Sequence, residues 1–330
     1  MATRRAHVAR RCIAFVLALV TFATVHAQET YPSRPVRIVS GFAVGGSLDL
    51  TARIVAEQLA KRLGQNFVVD VKTGAGGAIA AAEVAKAKPD GYTLLLGFDG
   101  TLAILPNLSV QQPFDPLKDF EPVSMLTKVP LMVAANPAIP ARNVAELINL
   151  SKSRPDSLMY ATSGLGTTPH LAGELLRVRA GMKWTVVPYR GGAAAITDVV
   201  SGTTPLIYSS IAPVLPYLKN GQLVAVGIAS DKRWPTLPDM PTFAEAGIAN
   251  SNVESWYSLM APAGTPRSII DTLQRAVHAI LAQPDVAKRL LDLGLEPSPS
   301  SPALVTETIK ADLARWKQVI KDGNIQINEK

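Results

Sequence analysis

One recurring phrase punctuates the chain: a β-branched apolar run, a glycine-rich turn, then an amphipathic helix. Val36-Arg37-Ile38-Val39 reads as a strand and Gly41-Phe42-Ala43-Val44-Gly45-Gly46-Ser47 as its turn. Leu50, Ile54, Val55, Leu59 and Leu63 keep the helical period until Gly64 stops it. The phrase returns when Phe67-Val68-Val69-Asp70-Val71 leads through Gly74-Ala75-Gly76-Gly77 into an Ala-rich helix ending near Pro89-Asp90-Gly91. Tyr92-Thr93-Leu94-Leu95-Leu96 is the next strand. Strands alternating with helices predict an α/β fold with a parallel-type sheet.

A second set begins near Met125, with a strand over 131–134, a helix over 144–151 and a strand at Met159-Tyr160-Ala161. The turn Thr162-Ser163-Gly164-Leu165-Gly166-Thr167-Thr168 opens a helix that runs from Pro169 toward Ala180, with Thr168 as N-cap and Pro169 at its first position. Pro235, Pro238 and Pro241 make 234–248 a connecting segment. A strand over 253–260 and amphipathic helices over about 268–293 and 302–321 close the chain. No fixed-period repeat is present, which argues against a solenoid.

The first residues are a different kind of text. Arg4, Arg5, Arg10 and Arg11 precede the apolar run from Cys12 to Val25, and Val25-His26-Ala27 suits a signal peptidase. That run is short of the roughly twenty residues a spanning helix needs. A cleaved signal over 1–27 is therefore expected, with Gln28 first in the mature chain and the periplasm as its destination. The paired arginines leave both the general and the twin-arginine export routes open. Four of the 33 basic residues and none of the 26 acidic ones leave with that segment, so the formal charge of +7 falls to +3. A value that small, with no basic run interleaved with aromatics, argues against a nucleic-acid partner. Cys12, the one cysteine of the sequence, leaves too, so the mature chain holds no disulfide, thiolate nucleophile or cysteine metal ligand.

A glycine-rich turn between strand and helix aims backbone N–H groups into one concavity at the positive end of the helix dipole, an anion site without a charged side chain. The turns at 42–49 and 163–170 are the two candidates, and as ligands in α/β folds favour the carboxyl ends of strands, both suit one shared cleft. Each is also readable as a tight turn and nothing more. Nucleotide readings fail: Ser47 and Leu48 stand where a P-loop needs Lys and Ser/Thr, and Ile79 stands where a dinucleotide fingerprint needs Gly or Ala. His278, inside a C-terminal helix, reads as structural. His170, in a helix's first turn, suits either a ligand contact or a loop-bracing hydrogen bond. Asp49 suits dipole compensation and loop bracing, or a part in orienting ligand. Arg190, before Gly191-Gly192, is a rim cation or a solvated arginine. No cofactor or metal site is expected.

These residues closely resemble the solute-binding proteins of tripartite tricarboxylate transporters, the Bug family, along nearly the whole chain from Tyr31-Pro32-Ser33-Arg34-Pro35 onward. The resemblance is carried by Phe42-Ala43-Val44-Gly45-Gly46-Ser47-Leu48-Asp49, Gly74-Ala75-Gly76-Gly77, Pro89-Asp90-Gly91-Tyr92-Thr93, Pro116-Leu117-Lys118-Asp119-Phe120, Val187-Pro188-Tyr189-Arg190-Gly191-Gly192, the stretch 238–247 and Ala261-Pro262-Ala263-Gly264-Thr265-Pro266. It implies a two-lobed clamshell of the type II periplasmic-binding (Venus flytrap) fold, each lobe a β-sheet flanked by helices, whose cleft holds a carboxylate, often a dicarboxylate, through backbone amides and water. The ligand-binding residues it implies are Phe42, Ala43, Val44, Gly45, Gly46, Asp49, Thr101, Ser163, Gly164, Gly166, Thr167, Thr168, His170, Arg190 and Ser209. The chain departs from the family pattern at Val44, where Pro is usual, at Arg190, where Lys is common, at Thr203-Thr204-Pro205, where Gln-Val-Asp is typical, and at Tyr208-Ser209-Ser210.

The reading is a monomeric periplasmic binding protein without enzyme activity, handing a small organic carboxylate to membrane permease subunits. Lobe one is expected over 28–124 with 251–330 returning to it, and lobe two over 125–250, closing on ligand by a hinge. Two rivals remain: a sensor presenting ligand to a two-component receptor, and a hydrolase using Ser163 and His170.

Overall fold

The computed structural model describes residues 31–108, 112–154 and 158–325. The expected signal segment lies outside the described residues. The described fold is that of the unit beginning at Arg34.

The first expected phrase folds as read. Strand β1 (Val36–Ser40) feeds helix α1 (Ser47–Leu63), which Gly64 ends in the left-handed conformation. Strand β2 (Phe67–Val71), helix α2 (Ala78–Ala85) and strand β3 (Thr93–Phe98) follow. Strands β2 and β3 flank β1 in parallel.

Parallel pairing stops there, because the next neighbour of β3 is β9 (Glu254–Pro262), which arrives antiparallel from far along the chain. The sheet is therefore mixed. Its hub is β4 (Phe120–Ala135), sixteen residues long where periodicity suggested a short strand over 131–134. Pro122 and Pro130 disguise it, since proline removes a ladder donor. The strand absorbs the disruption by register shifts near Pro122 and Met125 in its pairing with β9. Beyond Pro130 it pairs instead with β7 (Leu206–Ser210) and β8 (Val224–Ile228). There Leu131, Val133 and Ala135 enter one apolar cluster while Met132 and Ala134 enter another, the two-residue period of a strand buried on both faces.

On the far side of β7 lie β5 (Met159–Thr162) and β6 (Thr185–Pro188), both parallel. Helices α3 (Val144–Ser153), α4 (Thr168–Ala180), α5 (Gly192–Val200) and α6 (Ile211–Lys219) connect this part. The expected helix over 268–293 is two, α7 (Arg267–Leu281) and α8 (Pro284–Asp292), because Pro284 starts a new helix and cannot continue the old one. A two-residue strand β10 (Glu296–Pro297) pairs with β4. Helix α9 (Pro302–Asp322) then sends Val305 and Ile309 into a cluster with β1 and β3 residues and Trp316 into the cluster of β5 and α4. His278 bonds the Ser300 carbonyl through Nε2 at 2.9 Å, which anchors the approach to α9.

Candidate functional site

A cavity of about 460 Å³ opens where the carboxyl ends of strands meet the first turns of helices. Ser47 and Leu48 of α1, Pro169 of α4, Gly192 and Ala193 of α5, and Ala212 and Pro213 of α6 all line it. Four helices thus present their positive ends to one space, and first-turn amides have no acceptor within their own helix. The sequence reading had found two of these helix starts. Those of α5 and α6 it missed, although Gly191-Gly192 and Ser210 before a Pro-containing apolar run carried a helix-start signal.

Of the residues singled out from sequence, Phe42, Ala43, Val44, Gly45, Gly46, Ser163, Arg190 and Ser209 line the cavity. Val44 stands at 62 % exposure on the loop's tip. Asp49 sits behind this loop, buried in the first turn of α1. Its carboxylate accepts the Gly45 N–H at 3.1 Å and the Arg53 Nε–H at 3.0 Å, so it braces the loop and uses the Gly45 amide. Gly45 has φ +92°, a region that glycine alone enters freely. Gly46 has φ −82° and ψ 169°, open to any residue. The conformational demand for glycine therefore falls on Gly45 and not on both.

Thr101 lies behind the same loop and donates to the Gly76 carbonyl at 2.8 Å. It holds the turn at 74–77 against Gly41, where an added Cβ would lie 2.7 Å from Gly77 Cα. That turn is a packing device.

In the second loop, Gly164, Gly166, Thr167, Thr168 and His170 stand behind the cavity wall that Ser163 and Pro169 form. The N-cap of α4 is Thr167, one residue before the expected Thr168, and its hydroxyl donates at 2.7 Å to the Gly164 carbonyl. The Thr168 hydroxyl, freed from capping, donates at 2.8 Å to Asp99 Oδ2, and the Ser255 hydroxyl donates to Asp99 Oδ1. Asp99 follows β3 directly, so one buried carboxyl ties the ends of β3, α4 and β9 beside the cavity. Burial pushes it up to about 7 against the pull of those donors. Sequence reading missed Asp99, whose signal, an acid at a strand end before Gly100, is common to many turns. A further tie joins Ser47 and Ser210 through their hydroxyls, 2.7 Å apart.

His170 Nδ1 accepts the Gly166 N–H at 3.2 Å, the loop-bracing alternative, and its neutral form must therefore carry the proton on Nε2. Burial lowers its pKa below the usual histidine value, partly opposed by Glu174. A depressed histidine binds its proton less readily when folded than when unfolded. Stability from this group is whole above about pH 6.5, the unfolded value, and is lost as pH falls from there through the folded value. Urea midpoints should accordingly drop between pH 7.5 and 5 by more in the native sequence than in His170→Gln. Equal drops would remove His170 as the cause.

Residues 51–325 match the family described as tripartite tricarboxylate transporter family receptor. A Rhodopseudomonas palustris protein solved with adipate is 36 % identical, with TM-score 0.87 over 90 % of this chain and 99 % of its own. The periplasmic binding protein BugD is 34 % identical, with TM-score 0.84 over 90 % of this chain and 99 % of its own. MatC from Rhodopseudomonas palustris, with bound malate, is 35 % identical, with TM-score 0.81 over 88 % of this chain and the whole of its own. Likeness of that extent carries the two-lobed periplasmic-binding fold as well as the sequence pattern, and the chain belongs to the tripartite tricarboxylate transporter receptor family, the Bug solute-binding proteins.

Proposed function

We propose that this protein captures a small carboxylate, a dicarboxylate or related organic acid, in the periplasm and delivers it to the membrane subunits of a tripartite tricarboxylate-type transporter. The observation that carries this is the convergence of four helix N-termini on one cavity whose only charged lining side chain, among the described residues, is Arg190. Such a site attracts an anion through amides and dipoles and leaves selectivity to shape. Relatives solved with adipate and malate support the same class.

The site of this proposal comprises the lining residues of both loops with Arg190 and Ser209, supported from behind by Asp49, Thr101 and the group 164–170. In this proposal 28–124 with 251–330 make up lobe one and 125–250 lobe two, with β4 spanning the boundary between them. No step of catalysis is assigned, since His170 spends Nδ1 on a backbone amide. Among the described residues no helix is long and apolar enough to cross a membrane. Export through cleavage after Ala27 is checked by sequencing the N-terminus of periplasmic material, where retention of residues 1–27 would refute it.

Ligand that binds the native state alone raises stability by mass action, about 2.7 kcal/mol at a hundred times Kd. A thermal-shift screen should show stabilisation by organic acids that survives EDTA. Stabilisation by neutral sugars alone, or its abolition by EDTA, would remove the proposal.

A further inference from the structure

The walls of the cavity say more than its entrance. Phe42, Phe98 and Tyr257 form one continuous aromatic wall, with ring centroids 5.0 Å apart for the first pair at an interplanar angle of 79° and 5.9 Å apart for the second. Polar surface is sparse: Leu131, Ile196, Pro216 and Leu293 contribute apolar surface, and the hydroxyls come from serines beside the helix starts, from Tyr217 late in α6, and from Ser255 and Tyr257 of β9. Burial raises the Tyr257 pKa, so its ring stays a neutral aromatic surface at any physiological pH.

A short hydroxylated diacid would fill a minority of about 460 Å³ and leave water against side chains that offer it no partner. An aromatic ring would instead displace that water and meet the wall edge-to-face. We infer that the ligand of this protein is an aryl carboxylate, with one or two carboxylate groups at the helix starts and its ring against Phe42, Phe98 and Tyr257. This rests on the carboxylate reading above and narrows it.

Isothermal titration of the mature protein with phenylacetate, isophthalate, malate, succinate and phenylacetamide tests it. At least one aryl acid should bind at least about tenfold tighter than malate and succinate, and Phe42→Ala, with circular dichroism unchanged, should weaken that acid about tenfold. Malate or succinate binding as tightly as the aryl acids would overturn the inference and leave carboxylate capture standing. An aryl-acid affinity indifferent to Phe42→Ala would overturn it too. Phenylacetamide matching phenylacetate, or silence from every acid, would overturn the carboxylate reading and this inference with it.

Discussion

Gly45→Val is expected to weaken carboxylate binding by about ten- to a hundredfold with circular dichroism unchanged, while Arg190→Ala costs less than about tenfold. The asymmetry follows from where each residue acts. Gly45 holds φ +92°, which costs a β-branched residue on the order of 1–3 kcal/mol. The open space around it gives no steric objection, as nothing lies within 4 Å of an added Cβ, so the penalty is conformational. To escape it, the loop must rotate a peptide, break the Gly45 N–H bond to Asp49 and re-aim the first amides of α1. Arg190 is exposed at the rim, where a charged contact is screened and worth about 1 kcal/mol or less. Gly46→Ala should do less harm than Gly45→Val, because Gly46 already occupies angles open to alanine. Calorimetric titration of the three variants with the most stabilising acid gives the order. If Arg190→Ala proves the most damaging, an arginine clamp replaces the backbone cradle.

Asp99→Asn should make the protein progressively more stable than the native sequence as pH rises from about 4 to 8, by a margin on the order of a few kcal/mol at the top. The folded Asp99 carboxyl sits at about 7, above the usual carboxylate value, so the native state holds a proton that the unfolded chain releases. Stability from this group is fully present below the unfolded value near 3.8 and is lost as pH rises through about 7. Asparagine keeps the site neutral throughout, and the Thr168 and Ser255 hydroxyls can rotate to match its amide. His170 works in the reverse direction, losing stability as pH falls, so each variant must be compared with the native chain at every pH. Parallel urea-denaturation curves for Asp99→Asn and the native protein across pH 4.5–8 would refute the assignment.

Asp99 also illustrates what a one-dimensional reading misses. Nothing near it in sequence announces a buried carboxyl, because its partners Thr168 and Ser255 arrive from segments far along the chain. Val36 and Phe67 were easier: each opens a short apolar strand bounded by turn residues, and each does so in the structure, while the strand expected from Tyr92 begins one residue later, at Thr93. β4 hid behind Pro122 and Pro130, since a residue that argues against a strand locally is tolerated where a register shift absorbs it, as after Pro122, or where the strand changes partners, as after Pro130.

From the sequence by itself come the glycine-rich helix starts, the alternation of strands and helices and the family pattern, because periodicity and turn chemistry act over a few residues. Tertiary structure alone decided that β9 and β4 run antiparallel through the centre of the sheet. It chose bracing among the roles open to Asp49 and His170, put Thr101 behind the loop as a brace, and set Phe98 and Tyr257 side by side in one wall. These outcomes depend on which distant strands share a ladder, and that is settled by the burial of whole faces, a balance no local window of the chain contains.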